Sequence, residues 1–286
     1  MKYLHVFFSL AVLFVLGGSP APVAAEQTVH FKSPDVQPTP FRLKRAKAKG
    51  ITLKPTPGME FKGLLFTPDG SGPHPAVVIL ESGGGQLNSH VLWAKTLAEW
   101  GYVSLLVDSF ASRGVTNMLE TQAIDMTVEG FAAFTFLSGL DAVDEERIGI
   151  LGFSAGGSFL FPVVRAENKL RPPSVHYRAA VSYYPTCNIG YVYRVPIMVL
   201  FGDKDRLSSL AQCKTLIDES GPDGSISLHV YKGATHFFDS TDYSKDRSLH
   251  GVGWRKPLWF ETNDYDPEAH KDSLTKTRAF FDEYLD

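Results

Sequence analysis

The sequence predicts one α/β domain, with a mostly parallel central sheet and helices on both faces. Two observations carry that prediction. Short, continuous apolar runs recur along the chain, at Ala76 to Leu80, Val103 to Val107, Ile148 to Leu151, Ala179 to Tyr183 and Ile197 to Phe201, as buried parallel strands require. Stretches with apolar residues at helical spacing separate most of them, and strand alternating with helix builds a parallel sheet covered on both sides. Right-handed crossovers then bring the C-terminal ends of the strands to one edge, where ligands bind.

The elements follow in order. Lys2, the apolar run Val6 to Leu16, the breakers Pro20 and Pro22, and the small residues Val23-Ala24-Ala25 read as a secretory signal peptide over residues 1–25, cleaved after Ala25. The run is shorter than the ~20 residues of a membrane-spanning helix. Residues 26–58 contain prolines and then a basic stretch with weak periodicity, which predicts an extended N-terminal arm ahead of a domain at 59–286. Phe61 to Phe66 reads as a strand ending in the turn Pro68-Asp69-Gly70. Helices are expected at Val91 to Trp100, Ala123 to Leu137, Ala155 to Arg165, Ser209 to Ile217 and Pro267 to Leu285, and a further strand at Ser227 to Tyr231. The polar, aromatic segment Asp239 to Asp264, with Trp254 and Trp259, is long for a connection and reads as an irregular excursion at the site mouth or over the sheet edge.

Composition narrows the function. With 44% hydrophobic and 21% charged residues and a net charge of −3, nothing argues for nucleic acid. Cys187 and Cys213 are not a C-x-x-C pair and are too few for a zinc site; in an exported chain they form either a disulfide or two buried thiols.

The chemistry is concentrated in Gly152-Phe153-Ser154-Ala155-Gly156. This G-x-S-x-G follows an apolar strand and opens a helix, the setting of a nucleophile elbow. The serine needs a sharp turn to point its hydroxyl over the sheet edge, the glycines allow strand and helix to approach, and the helix N-terminus favours negative charge. A serine hydroxyl needs a base, and chains with this elbow place serine, acid and histidine in that order. Gly202-Asp203-Lys204-Asp205 and Gly233-Ala234-Thr235-His236 each leave a strand into a loop. His236 is the candidate base over His176, His229, His250 and His270, since His229 falls in a strand and His270 in the last helix. Asp205 is the candidate acid, with Asp203 nearer the strand and suited to bracing the turn. The oxyanion donors expected are the N–H of Ala155 and that of Ser82 in Glu81-Ser82-Gly83-Gly84-Gly85, with Gly83 the neighbouring choice.

Together with Pro75 to Glu81, Val107-Asp108-Ser109-Phe110-Ala111-Ser112-Arg113-Gly114 and Asp266-Pro267-Glu268-Ala269, these motifs resemble the dienelactone hydrolase family of the α/β hydrolases over most of the chain. The resemblance implies the α/β-hydrolase fold, no metal or organic cofactor, and Asp205 as the last residue of the family's G-x-x-D pattern. It also implies substrate-side roles for Glu81, matching a glutamate that meets the resting nucleophile, and for Arg113, matching a carboxylate-binding arginine. Relatives commonly carry cysteines at positions like 187 and 213, which favours the disulfide. The founding members use a cysteine nucleophile where this chain has Ser154, so the expectation is a general serine carboxyl-ester hydrolase acting on a small-molecule ester. A peptidase or acyltransferase on the same scaffold is the alternative, and a non-catalytic binding protein of this fold a remoter one. The expected location is the periplasm or medium.

Overall fold

The computed structural model describes residues 25–35, 38, 40–121, 124–193, 195–220, 225–251, 255–257 and 264–286. Strands are β1 (Ala25–Lys32), β2 (Glu60–Thr67), β3 (His74–Leu80), β4 (Val103–Asp108), β5 (Val143–Phe153), β6 (Ala179–Tyr183), β7 (Ile197–Gly202) and β8 (Ile226–Tyr231). Helices are α1 (Pro40–Lys47), α2 (Asn88–Glu99), α3 (Thr127–Ser138), α4 (Ala155–Val164), α5 (Leu210–Ser220) and α6 (Pro267–Leu285). The strands form one sheet in the order β1-β2-β4-β3-β5-β6-β7-β8. β2 pairs antiparallel with β1 and β4, and every later pairing is parallel.

The two faces of the sheet sort its side chains by alternation. Ala76, Val78 and Leu80 of β3 join a core with α3, α4 and α5, while Val77 and Ile79 join a second core with α2 and α6. Both faces are covered, so the strands read as unbroken apolar runs and not as alternating ones.

Three elements differ from the sequence expectation. The segment read as an arm supplies β1, which pairs with β2 from Ala25↔Thr67 to Lys32↔Glu60. Its Val29 and Phe31 are buried while His30 and Lys32 are exposed, the period-two pattern of a half-covered edge strand. β5 begins at Val143 because Asp144 to Arg147 extend the strand ahead of its apolar centre. α3 runs from Thr127, where Asp125 Oδ1 accepts a hydrogen bond from the Thr127 N–H (2.9 Å) and sets the first turn; the expected start, Ala123, lies outside the described residues. The signal-peptide reading falls on residues 1–24, outside the described residues, as do Trp254 and Trp259.

Candidate active site

Ser154 links β5 to α4 at the centre of the sheet. Its backbone has φ 52° and ψ −108°, a region costing about 1–3 kcal/mol for a residue with a Cβ. Neighbours enforce the conformation. The Ser154 N–H donates to the Tyr183 carbonyl (3.0 Å), and the Gly156 N–H donates to the Glu81 carbonyl (3.1 Å). A Cβ on Gly152 would lie 2.5 Å from the Gly156 oxygen, and one on Gly156 would lie 2.3 Å from the Leu80 oxygen. The elbow glycines are therefore fixed by backbone approach, as the motif implies.

The loop after β8 brings His236 to the serine. Its Nε2 lies 2.8 Å from Ser154 Oγ, and its Nδ1 lies 2.7 Å from Asp205 Oδ2. Asp205 stands in the loop after β7, its side chain fully buried, and its Oδ1 accepts from the N–H groups of Leu207 (2.7 Å) and Ser208 (2.9 Å). Those bonds hold one carboxylate oxygen and aim the second at the imidazole. Asp203 accepts from the Gly233 N–H (2.7 Å) and braces the turn between the acid and histidine loops. Three residues from three strand ends thus meet at one point, with the imidazole between the hydroxyl and the carboxylate.

The expected oxyanion donors are neighbours. The peptide joining Glu81 to Ser82 abuts the first turn of α4 through the Gly156 bond, beside Ala155. A Cβ on Gly83 would sit 3.6 Å from the Ala155 Cβ. The Gly85 N–H closes the turn onto the Ser82 carbonyl (3.0 Å), and the Met118 N–H holds the Gly83 carbonyl (2.9 Å).

Glu81 and Arg113 are placed differently from the roles their resemblance implies. Glu81 is fully buried; its Oε1 accepts from the Ser109 N–H (2.8 Å) and its Oε2 has no hydrogen-bond partner. Burial, reinforced by nearby Asp108, holds its pKa well above the usual carboxylate value, against the opposing pull of the Ser109 and Phe110 N–H groups. It lies beneath the loop, without an accessible surface. Arg113 lies over the Phe61 ring, donates to the Ser109 carbonyl, and has Nη1 2.5 Å from Oε1 of the buried Glu129. Its charge is used within the fold.

A cavity of about 420 Å³ borders the triad, lined by Lys204, Arg206, Leu207, Thr235, His236, Phe237 and Asp264. A larger one, about 540 Å³, opens by α2, Lys62 and Asp108 and includes no triad residue; the first is where a reacting group can be met by the imidazole. Cys187 and Cys213 form a disulfide with Cα atoms 5.0 Å apart, tying the loop after β6 to α5, just beyond the acid loop. Among the described residues, no group of three or more His, Cys, Asp or Glu is arranged to hold a metal ion.

Sequence reasoning missed the residues behind the imidazole, Tyr184 and Asp239. The signal for Asp239 was present: an acid directly after two phenylalanines, where a solvent-facing loop would not place it.

Comparison with known proteins agrees with this architecture. The profile of the dienelactone hydrolase family matches residues 61–285. Carboxymethylenebutenolidase 2 of Cupriavidus pinatubonensis is 29% identical over 180 residues, covering 57% of this chain and 73% of that protein. Among solved structures, a dienelactone hydrolase-like promiscuous phosphotriesterase from metagenomic libraries superposes with a TM-score of 0.62 at 19% identity, over 92% of this chain and 100% of that one. The butyrate-bound Est2 esterase of Thermogutta terrifontis superposes with a TM-score of 0.57 at 15% identity, over 78% and 89%; at these identities the likeness is one of fold. With the family profile spanning the sheet from β2 to β8, the elbow and the last helix, the chain belongs to the dienelactone hydrolase family, and it is a hydrolase of the ester and lactone type.

Proposed function

We propose that the chain is an exported serine hydrolase that cleaves carboxylic esters through Ser154, His236 and Asp205. The observation that carries this reading is the imidazole of His236, within 2.8 Å of the Ser154 hydroxyl and 2.7 Å of the Asp205 carboxylate. Ser154 Oγ bonds to the acyl carbon as its proton passes to His236 Nε2. The tetrahedral oxygen is held by the N–H groups of Ala155 and Ser82, each such donor typically contributing ~2.7–4 kcal/mol in the transition state. As the carbon–oxygen bond to the alcohol breaks, the imidazolium returns that proton to the leaving oxygen. A water molecule, deprotonated by the same nitrogen, then attacks the acyl-enzyme and releases the carboxylic acid and the free serine. Asp205 fixes the tautomer with the proton on Nδ1 and stabilises the imidazolium without taking its proton.

Export is supported by the leader-like residues 1–25 and by the Cys187–Cys213 disulfide, a bond that persists in oxidising compartments. Periplasm or medium is the proposed location. A lactone is an internal ester, so the same steps open a ring.

The test is labelling of the mature protein with a fluorophosphonate probe, followed by mass spectrometry and an Ser154→Ala control. A single adduct on Ser154, absent from the control, is expected. A folded, processed protein that takes no label would overturn the mechanism and favour a binding role. Turnover of a panel of esters, lactones and peptides by the unlabelled protein separates ester hydrolysis from peptidase or acyltransfer chemistry.

A further inference from the structure

The two hydrogen bonds of His236 lie at opposite ends of the ring, on Nδ1 and Nε2. They define an axis and leave rotation about it to be limited by packing on the faces. During acylation one of the two is also lost, because Ser154 Oγ is then bonded to carbon. At that moment the imidazolium is held by Asp205 and by its packing neighbours, and it must still aim Nε2 at the leaving oxygen.

Two rings supply that packing, each with its centroid 4.6 Å from that of His236: Phe237, edge-on and next in the chain, and Tyr184, tilted at 48°. Tyr184 is held by its backbone and by three hydrogen bonds. Its backbone sits at φ 40°, in the left-handed region that favours glycine. Its N–H donates to the Leu200 carbonyl (2.7 Å). Its carbonyl accepts from the Ser208 hydroxyl (3.1 Å), while the Ser208 N–H serves Asp205. Its phenol donates to Asp239 Oδ1 (2.8 Å), and Asp239 Oδ2 accepts from the Trp93 indole N–H (3.0 Å). The preceding residue, Tyr183, accepts from the Ser154 N–H. Tyr184 and the residue before it therefore touch the serine, acid and histidine loops together.

Asp239 explains why this position is polar at all. It is 2% exposed, three residues beyond His236, and its carboxylate bonds to Tyr184 and Trp93. A buried carboxylate is costly unless its bonds specify a geometry that apolar packing would leave loose. Here they fix the phenol, and through it the ring plane behind the imidazole.

We propose that Tyr184, locked by Asp239, is a positioning residue that holds the His236 imidazole at its working angle once the serine bond is gone. The proposal rests on the serine-hydrolase reading above.

The test compares Tyr184→Leu, Tyr184→Phe and Asp239→Asn with wild type on p-nitrophenyl acetate. Rates are expressed per Ser154 titrated with the fluorophosphonate probe, so unfolded molecules do not contribute. Misplacing a catalytic group by ~1 Å costs on the order of 100-fold, so Tyr184→Leu is expected to lower kcat at least ~10-fold while KM stays near wild type. Tyr184→Phe, which keeps the ring, should recover most of the loss, and Asp239→Asn should fall between them. If Tyr184→Leu does not fold, the Phe and Asn variants carry the same ordering against wild type. Unchanged kcat across the folded variants overturns the proposal, as does a loss confined to KM. Wild type that takes no label on Ser154 overturns the serine reading instead, which keeps the two failures apart.

Discussion

Two groups of polar residues stand at the C-terminal ends of the strands, and they are treated in opposite ways. Beyond β7 and β8, Asp205 and His236 have their outer hydrogen bonds arranged so that the remaining atoms point at Ser154. Beyond β3 and β4, Glu81 and Arg113 turn inward: the first onto the Ser109 N–H, the second onto Glu129 and the Ser109 carbonyl. Both groups are charged in sequence, and both follow apolar strands. The difference lies in where the remaining atoms point: Glu81 Oε2 is buried without a hydrogen-bond partner, whereas His236 Nε2 meets Ser154 Oγ. A residue whose polar atoms end in the fold serves the scaffold, and one whose last atom faces a reactive neighbour is available for chemistry.

The sharpest way to break that comparison is to remove the reactive end. Ser154→Ala or His236→Ala should lower ester turnover by roughly 10⁴-fold or more, with residual rate from the oxyanion hole and binding alone. Thermal melting of the Ser154→Ala protein should stay close to wild type, because the strained φ of 52° is retained and the bond lost is that between Oγ and His236 Nε2. Turnover within tenfold of wild type would place the chemistry elsewhere.

The scaffold group should show the opposite split. Arg113→Ala leaves Glu129 buried without its cation, and removing one partner of a buried pair costs about 3–5 kcal/mol. In a domain of this size that lowers the melting temperature by on the order of 10 °C, while kcat and KM per folded molecule stay near wild type. The contrary outcome is specific: a normally stable variant whose KM rises for carboxylate-bearing esters alone would return Arg113 to the substrate.

A smaller effect is expected of the disulfide, which supports the acid loop from outside. Its cysteines are 26 residues apart, and closing a loop of that length removes about 3.5 kcal/mol of unfolded-state entropy in the chain-entropy description. Cys187→Ala with Cys213→Ala should therefore lower the melting temperature by several degrees, with kcat little changed. A loss of activity without a loss of stability would show that the bridge tunes the Asp205 loop directly.

The sequence was most legible where one physical cause dominated. Ala76 to Leu80 and Ile197 to Phe201 are buried on both faces, so their apolar runs mark strands without ambiguity. Ser154, Asp205 and His236 could be singled out as candidates because glycines and strand ends mark where a chain must turn at the sheet edge. β1 was not, since a half-covered edge strand beside prolines carries weak alternation. α2 shows a different limit. Its N-cap residue, Leu87, offers no side-chain cap, and the Ser89 N–H is satisfied by Asp242 (2.7 Å), 153 residues away. Tyr184 was hidden for the same reason, and Asp239, though its place after two phenylalanines marks it, has its partners in long-range contacts that local spacing does not encode. Glu81 and Arg113 matched a motif, but motif identity says nothing about which way a side chain's last polar atom is turned.

The subtlest prediction concerns Glu81 and depends on pH. Burial keeps its carboxyl protonated in the folded protein well above the usual carboxylate value of 4.5, and Asp108 adds to the effect. In the unfolded chain the same group ionises near that usual value. Below pH 4.5 both states hold the proton, and the group does not bias folding. As pH rises, the unfolded chain releases its proton while the folded one keeps it, so stability falls with pH until the folded group ionises. The slope is about 1.4 kcal/mol for each pH unit spent in that window. Glu81→Gln keeps an acceptor for the Ser109 N–H and removes the titration. Urea unfolding of wild type and Glu81→Gln at pH 5 and pH 7 should show the variant gaining on wild type as pH rises, with kcat at pH 7 little altered because the Glu81 side chain bonds to the Ser109 N–H and not to Ser154, His236 or Asp205. If the stability difference is the same at both pH values, Glu81 is ionised in the folded protein. A large fall in kcat at pH 7 would instead move Glu81 out of the scaffold group and into the chemistry.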